Sequence, residues 1–338
     1  MNILVTGGIG YIGSHVVKQL SENKDLKIVV IDDLINNNFS TVNTLEKLFL
    51  KENFEFIKLN LNDFEEVEKI FKKYSFFAIF HFAAYTQVIE SMKEPIKYYE
   101  NNTLNTLNLV KLSLKYKVNK FIFSSTAAVY GNVHKQLIEE NEVCNPINVY
   151  GKSKLLSEEI LRDSAKANKD FKFIILRYFN VAGASLDNSL GEIHEPETHL
   201  IPLVAQTALG KREKIQIYGD TYPTEDGTCI RDYIHIEDLA SAHIQSLEYL
   251  KEGNDSDIFN CGYGYGFSVK QIIEMMQKVS NVRFNIEVVE KREGEPTVLV
   301  ANSNKIKNKF VWSPKYNDLE LICKTALNWE KKLMSISK

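Results

Sequence analysis

The chain has 338 residues, of which 44% are hydrophobic and 25% are charged, and its formal net charge is −3. This length suffices for one large domain or two fused ones, and the composition is that of an ordinary globular protein. The small negative charge gives no reason to expect a nucleic acid or an anionic membrane as a partner. We find no apolar run near the length of a membrane span, and the first residues form a strand pattern rather than a cleavable leader. Four scattered cysteines predict free thiols in a reducing compartment, so a cytoplasmic location is expected.

The first half of the chain alternates short apolar runs with amphipathic stretches. The apolar runs are rich in Ile, Val and Phe, which predicts strands buried on both faces at residues 2–6, 27–31, 54–59, 76–82, 120–124 and 171–179. Helical patterns between them include residues 11–22, 64–74, 103–116 and 151–168. This alternation predicts an α/β fold with a doubly wound parallel sheet and right-handed crossovers.

The character of the sequence changes after Asn180. Residues 181–200 are rich in Gly, Pro, His and acidic residues, which predicts a binding loop. Shorter elements follow at residues 201–209, 215–218, 232–236, 237–250, 268–280 and 319–332. We therefore expect a main sheet domain over residues 1–180 and a smaller C-terminal α/β lobe over residues 181–338. The chain is expected to return to the main sheet near residues 233–262.

A glycine-rich turn follows the first predicted strand. Gly7, Gly10 and Gly13 lie between that strand and a helical pattern, and Asp32 ends the second strand about twenty positions later. In this context a glycine turn binds the pyrophosphate of a dinucleotide, as in Rossmann folds. Asp32 is expected to accept hydrogen bonds from the adenosine ribose. With Asp33 it repels a 2′-phosphate, so NAD is favoured over NADP.

Tyr150 and Lys154 are one turn apart on the same face of a predicted helix. A tyrosine hydroxyl normally loses its proton near a pH of about 10, and a neighbouring ammonium stabilises the phenolate. A tyrosine activated in this way exchanges a proton with a substrate hydroxyl while a hydride moves to a nicotinamide. The pair therefore predicts redox chemistry on an alcohol.

Five segments resemble the extended short-chain dehydrogenase/reductases that act on nucleotide sugars. They are TGGIGYIGSH at 6–15, HFAA at 81–84, SSTAAVYG at 124–131, YGKSK at 150–154 and RYFNVAGA at 177–184. Three later segments are most similar to the UDP-glucose 4-epimerases of that family: HLIP at 199–202, YGDTYPTEDGT at 218–228 and RDYIH at 231–235. The resemblance extends over essentially the whole chain.

The resemblance implies that Tyr150, Lys154 and Thr126 are catalytic. In such an epimerase Tyr150 takes the proton from the sugar O4 while C4 gives a hydride to tightly bound NAD. Thr126 hydrogen-bonds the same oxygen. The 4-keto sugar then turns within the site and receives the hydride on its other face, which inverts C4. Related dehydratases carry an Asp-Glu pair where this chain has Ala127 and Ala128, so epimerisation is favoured over elimination.

The resemblance also implies which residues contact each ligand. Those for the cofactor are Gly7, Gly10, Tyr11, Ile12, Gly13, Asp32, Asn60, Leu61, Phe82, Ala83, Ala84, Thr86, Asn101, Tyr150, Lys154 and Phe179. Those for a UDP-sugar are Thr126, Tyr150, Asn180, His199, Leu200, Gln216, Tyr218, Arg231, Arg292 and Leu299. Three of these positions depart from the family pattern: Asn60 from an aspartate, Thr86 from a lysine and His199 from an asparagine. Family members with a small residue at the position of Leu299 admit N-acetylated sugars, so this leucine favours UDP-glucose and UDP-galactose.

Two alternatives remain open. One is a 4-epimerase of another UDP-sugar, such as UDP-N-acetylglucosamine, a UDP-pentose or a UDP-uronic acid. The other is a non-catalytic dinucleotide-sensing module, which has no need for Thr126, Tyr150 and Lys154 together. The resemblance to the epimerases also implies a homodimer formed through the helices at 103–116 and 151–168.

Two further sites receive structural interpretations. His81 lies in an apolar strand and is expected to be a core histidine rather than a base. His194, Glu195 and Glu197 have the chemistry of metal ligands, but their segment is expected to be a solvated loop, so no metal site is predicted.

Overall fold

A computed structural model describes residues 1–35, 39–133, 135–292, 296–310 and 312–336 of the chain. Its strands are β1 (Asn2–Thr6), β2 (Lys27–Asp32), β3 (Phe54–Lys58), β4 (Phe76–His81), β5 (Lys120–Thr126), β6 (Lys172–Tyr178), β7 (Asn180–Ala182), β8 (Lys214–Tyr218), β9 (Ile230–Arg231), β10 (Tyr233–His235), β11 (Asp257–Cys261), β12 (Phe267–Ser268), β13 (Asn285–Val289) and β14 (Val298–Leu299). Its α-helices are α1 (Tyr11–Leu20), α2 (Phe39–Glu46), α3 (Phe64–Lys73), α4 (Val88–Lys93), α5 (Pro95–Tyr98), α6 (Asn105–Lys115), α7 (Val149–Ala167), α8 (Leu200–Ala208), α9 (Ile236–Lys251), α10 (Val269–Ser280), α11 (Asn304–Lys309) and α12 (Leu319–Ile336).

The central sheet has seven parallel strands in the order β3-β2-β1-β4-β5-β6-β11. Its inner strands are mainly apolar because helices cover both faces. In β1, for example, Ile3 and Val5 pack into the core on one face and Leu4 packs into the core on the other. The strand order reverses direction between β1 and β4, and such a switch point opens a crevice at the carboxyl ends of the strands. The predicted doubly wound fold is confirmed.

The C-terminal half contributes one strand to the central sheet and also forms smaller sheets of its own. β11 pairs with β6 over its whole length, and α9, which precedes it, packs against α1. Gln19 of α1 donates a hydrogen bond of 3.0 Å to the carbonyl oxygen of Glu237 in α9. The smaller sheets pair β7 with β10, β9 with β12 and β14, and β8 with β13. None of the helices in the described part of the chain is long and apolar enough to cross a membrane.

The helix predicted at 103–116 differs from the structure at its start. α6 begins at Asn105, and residues Tyr99–Leu104 before it form a π-helical turn. The buried side chain of Asn102 explains the irregularity, because it hydrogen-bonds the backbone of Tyr85 at 2.9 and 3.0 Å and the hydroxyl of Ser153 at 3.0 Å. Irregular turns of this kind are frequent at functional sites, and this one brings Asn101 to the crevice.

Candidate active site

A pocket of about 440 Å³ lies at the carboxyl ends of the central strands. Most residues predicted from the sequence line it: Gly7, Gly10, Tyr11, Ile12, Gly13, Asp32, Leu61, Phe82, Ala83, Ala84, Thr86, Asn101, Thr126, Tyr150, Lys154, Phe179, Asn180, His199, Leu200, Arg231 and Leu299. Four predicted contacts are not among the lining residues: Asn60, Gln216, Tyr218 and Arg292. The fold thus gathers residues from Gly7 to Leu299 around one cavity.

Tyr150 and Lys154 stand in the first turns of α7, beside the end of β5. The helix is capped by Asn148, whose side-chain oxygen accepts a hydrogen bond of 2.8 Å from the amide of Gly151. The Tyr150 hydroxyl faces the side chain of Thr126, the last residue of β5, in the same pocket. Lys154 Nζ donates a hydrogen bond of 2.9 Å to the carbonyl oxygen of Ser124. The three residues predicted to be catalytic are therefore brought together in the pocket.

Burial governs the proton affinity of this pair. It raises the pKa of the Tyr150 hydroxyl to about 12, and the hydrogen bond with Thr126 opposes that rise. It lowers the pKa of the Lys154 ammonium to about 7, against the attraction of the Glu158 carboxylate. Both shifts favour the neutral forms, because charge is costly away from water. The lowering of the Tyr150 pKa by Lys154 remains a prediction.

The first turn of α1 fits the pyrophosphate of a dinucleotide. Its N-cap is Gly10, and within this described segment no side chain caps the helix. Gly10 and the three residues after it line the pocket, so the positive end of the helix dipole faces the cavity. A Cβ at Gly10 meets only the carbonyl oxygen of Gly7, at 3.2 Å, and otherwise faces open space. The backbone at this point leaves room for a group to approach closely.

The end of the pocket beside β2, which is predicted to hold the adenosine of NAD, is acidic. Asp32 ends β2 and accepts hydrogen bonds from the amides of Ile9 (3.1 Å) and Leu34 (2.9 Å). Burial raises the pKa of its carboxyl group, and these amide hydrogen bonds oppose the rise. Asn60 is engaged elsewhere, since it donates to Asp33 at 3.0 Å and accepts from the amide of Asn62 at 2.9 Å. Two carboxylates therefore stand where a 2′-phosphate would be repelled.

The opposite end of the pocket is formed by the C-terminal half. Arg231 is 8% exposed, and its guanidinium donates to the carbonyl oxygen of Ile230 at 2.8 Å. Leu299 pairs with Arg231 across β14 and β9, which places the predicted specificity residue in the lining. Arg292 instead lies over the ring of Tyr218, with its guanidinium carbon 3.7 Å from the ring centroid.

The segment from Glu192 to His199 is a loop, as predicted, and most of its residues are half-buried or exposed. Glu192 is the exception, since it is only 4% exposed and its carboxylate lies within ion-pair distance of Nδ1 of both His194 and His199. The loop packs on α12, where the indole of Trp329 donates a hydrogen bond of 2.8 Å to the carbonyl oxygen of Glu192. The sequence analysis also missed Glu192 itself, although two Glu and two His at 192, 194, 197 and 199 repeat one short spacing.

Other buried polar groups support the site from behind. His81 is 1% exposed, and its ring nitrogens hydrogen-bond Thr6 at 2.7 Å and Thr106 at 3.0 Å, which confirms a core histidine. Arg177 and Glu158 form a paired salt bridge that is fully buried. The Glu158 carboxylate also accepts a hydrogen bond of 2.6 Å from the hydroxyl of Ser125, which precedes Thr126. This network fixes β5, β6 and α7 relative to one another.

The pocket also contains polar groups that the sequence analysis did not single out. Ser124 and Tyr178 line it, and their hydroxyl groups share a short hydrogen bond. Tyr85 lines the pocket beside Ala84 and Thr86. All three lie near the end of a strand or in the turn just after it. Because ligands bind at the carboxyl edge of a parallel sheet, this position in the sequence could have identified them as site residues. The four cysteines are free, and three of them are buried, as predicted.

A doubly wound sheet, a glycine-rich first turn and a Tyr-Lys pair beside the pocket together define an extended short-chain dehydrogenase/reductase. Residues 3–262 match the sequence model described as the NAD dependent epimerase/dehydratase family, and the chain belongs to that family.

Individual members of this family are similar to the chain over nearly its full length. The chain is 44% identical over 331 residues to a UDP-glucose 4-epimerase of Streptococcus mutans, covering 97% of this chain and 96% of that protein. It is 51% identical to the solved UDP-Glc/GlcNAc 4-epimerase from Campylobacter jejuni, with a TM-score of 0.86 and coverage of 98% and 99%. A UDP-glucose-4-epimerase from Stenotrophomonas maltophila, solved with bound NAD and formylated UDP-arabinopyranose, is 33% identical with a TM-score of 0.94 over 100% of both chains.

Proposed function

We propose that this protein is an NAD-dependent 4-epimerase that interconverts UDP-glucose and UDP-galactose through a transient 4-keto intermediate. The observation that carries the proposal is the meeting of Tyr150, Lys154 and Thr126 in the same pocket as the glycine turn. Relatives named UDP-glucose 4-epimerase match the chain at 37–44% identity over nearly its full length. A dinucleotide-sensing module has no use for this constellation.

The roles of the side chains follow from their contacts. Tyr150 accepts the proton of the sugar O4 hydroxyl, and Thr126 hydrogen-bonds Tyr150 and helps to pass the proton. Lys154 lines the same pocket one helical turn after Tyr150, and in its charged form it stabilises the phenolate. Bound NAD supplies the acceptor and donor of hydride for C4. Ala127 and Ala128 line the pocket beyond Thr126 and carry no acid for elimination.

We assign the cofactor to the half of the pocket formed by residues 1–180 and the UDP-sugar to the half formed by residues 181–338. Arg231 supplies a charged fork for the pyrophosphate, beside Asn180, His199 and Leu200. Gln216, Tyr218 and Arg292 form the outer wall for the uridine. The Tyr218 hydroxyl donates to Gln216 at 3.1 Å, so the three side chains form one contiguous surface.

Epimerisation of the N-acetylated pair is a second candidate. The observation that favours it is the 51% identity to the structure named UDP-Glc/GlcNAc 4-epimerase. Leu299 opposes it, because a leucine in the pocket lining takes space that a sugar with an added acetamido group needs. We therefore place UDP-glucose and UDP-galactose first.

We further propose a cytoplasmic homodimer that assembles through α6 and α7. α6 and the turn just before it carry three leucines that are 36–46% exposed: Leu104, Leu107 and Leu114. Leu156 of α7 is 43% exposed, and the two helices pack against each other. Apolar faces of this kind on two adjacent helices match a four-helix contact between two copies.

The test is to incubate the purified protein with UDP-galactose without adding NAD, and to follow UDP-glucose by chromatography. UDP-N-acetylgalactosamine is run in parallel. Conversion of UDP-galactose alone supports both the reaction and the gatekeeping role of Leu299. Conversion of both substrates refutes the role of Leu299, and conversion of neither, even with NAD supplied, refutes the substrate assignment.

A further inference from the structure

Two carboxylates and two imidazoles converge at the rim of the pocket. Glu192, His194, Glu197 and His199 each offer one ligand atom, and these four atoms all lie within 4.8 Å of one another. The carboxylate side chains are 4% and 5% exposed, whereas the imidazoles are 24% and 50% exposed. The acidic groups thus form the buried floor of the cluster, and the histidines form its open side.

Contacts inside the cluster hold the four side chains close together. One carboxylate oxygen of Glu192 lies 3.0 Å from Nδ1 of His194 and also pairs with Nδ1 of His199. The second carboxylate, Glu197, is 4.0 Å from Nδ1 of His194 and accepts from the amides of Thr198 (2.7 Å) and His199 (2.8 Å). The rings of the two histidines stand edge to face, with centroids 5.3 Å apart. The loop backbone therefore holds the floor of the cluster in place.

We propose that this cluster, Glu192-His194-Glu197-His199, is a binding site for a divalent transition-metal ion, with Zn²⁺ as the best fit. Imidazole nitrogens and carboxylate oxygens are preferred zinc ligands, with bond lengths of about 2.0–2.2 Å and tetrahedral geometry. Mg²⁺ and Ca²⁺ fit less well, since they select sets of oxygen ligands.

Distances and charge both agree with an ion of this size. In a tetrahedral site the ligand atoms stand roughly 3.4 Å apart, as follows from bonds of about 2.1 Å. The observed spread, with an upper limit of 4.8 Å, reaches that arrangement through side-chain shifts of about one ångström. The two carboxylates supply the negative charge that balances a dication. His194 and His199 also line the pocket, so an ion held here faces the cavity.

The test measures metal content and affinity on the full-length protein with its resident cofactor. Protein stripped with a chelator is dialysed against Zn²⁺, and bound zinc is quantified by atomic emission. We expect one ion per chain with micromolar or tighter affinity. A parallel titration with Co²⁺ is expected to produce the visible absorption of a tetrahedral site.

Matched variants identify the ligands. His194→Ala and His199→Ala are each expected to weaken zinc binding at least tenfold. Glu195→Gln, an exposed carboxylate of the same loop outside the cluster, is expected to leave it unchanged. Zinc should also raise the melting temperature of the wild type but not that of the histidine variants. In this assay a cooperative melting transition shows that a variant is folded, and the shift with zinc shows whether it binds the ion. If one histidine variant does not fold, zinc binding by the other variant tests the site.

Two results overturn the proposal. One is the absence of stoichiometric zinc at a free concentration of about 100 μM, a level at which an ion held with micromolar affinity is essentially saturating. The other is unchanged binding in the double variant His194→Ala/His199→Ala, which would assign the zinc to the cysteines or to the surface. Neither result depends on turnover of a UDP-sugar, so the site stands or falls separately from the proposed reaction.

Discussion

Alanine substitutions at Gly10 and Gly13 distinguish two functions of the glycine turn, which are binding of the cofactor and stability of the fold. A Cβ added at Gly13 lies 2.2 Å from the carbonyl oxygen of Gly7 and 2.8 Å from Cα of Gly8, so the loop itself must move. A Cβ at Gly10 meets only the Gly7 oxygen at 3.2 Å, and its backbone, with φ −66° and ψ 171°, suits any residue. We expect Gly13→Ala to damage the fold and Gly10→Ala to damage cofactor binding alone.

The magnitudes follow from these contacts. Overpacking at Gly13 is expected to lower the free energy of unfolding by about 1–3 kcal/mol. At Gly10 the reduced entropy of the unfolded chain offsets the weaker N-cap, so the free energy of unfolding should change by no more than about 0.5 kcal/mol. The added methyl group instead stands between the start of α1 and the pyrophosphate. A tenfold loss of NAD affinity corresponds to about 1.4 kcal/mol, and at least this loss is expected.

The assay compares wild type, Gly10→Ala and Gly13→Ala after NAD has been removed, because bound ligand itself raises stability. Denaturant unfolding gives the stability of each protein, and titration with NAD gives its affinity. A Gly10→Ala variant with wild-type NAD affinity would refute the placement of the pyrophosphate at the first turn of α1. A Gly13→Ala variant with wild-type stability would refute the contact with Gly7.

Three other predictions test the support of the site, its pH response and its specificity. Arg177→Met removes the buried cation from the Glu158 carboxylate and leaves it with Ser125 and Arg162 as partners, so it should lower the free energy of unfolding by about 3 kcal/mol, measured by urea denaturation. The double variant with Glu158→Leu should recover part of this loss, and no recovery would argue against a paired network. Burial lowers the pKa of four histidines to about 3 or 4: His15, His81, His235 and His243. Their unfolded forms bind more protons, so stability rises with pH in this window and each histidine costs about 1.4 kcal/mol per pH unit as the pH falls below about 6.5. His243→Gln should reduce that slope by about one proton, and an unchanged slope would contradict the assignment. Leu299→Ser should raise turnover of UDP-N-acetylgalactosamine relative to UDP-galactose by about tenfold or more, measured by chromatography, with Val298→Ser as the matched control. Equal ratios in both variants would remove Leu299 as the gatekeeper.

Much of the central sheet was predictable because its signals are local. The strands that carry Thr6, Asp32 and Thr126 are apolar on both faces, and each helix between them has its own amphipathic pattern. The predicted strands agree with the structure to within two residues at each end. The glycine turn and Tyr150 were found because motifs in a βα turn and on one helix face have fixed spacing.

The parts that escaped prediction depend on contacts distant in sequence. The π-helical turn before Asn105 follows from Asn102 bonding to Tyr85 and Ser153, a pairing that no local pattern shows. Glu192 is buried because Trp329, 137 positions later, packs on its loop. The polar, proline-containing segment after it is solvated, as predicted, but a distant aromatic residue buries the glutamate at its start.

The central claim is that Tyr150 carries the proton of the epimerisation, and Tyr150→Phe tests it most directly. This variant keeps the ring that packs in the pocket and removes only the hydroxyl group next to Thr126. With UDP-galactose as substrate and no added NAD, we predict a fall in kcat of about 10²–10⁴-fold, while the NAD content per chain stays at the wild-type level. Tyr265→Phe, which removes a surface hydroxyl bonded to Asn317, should retain full activity. Wild-type turnover by Tyr150→Phe would contradict the account.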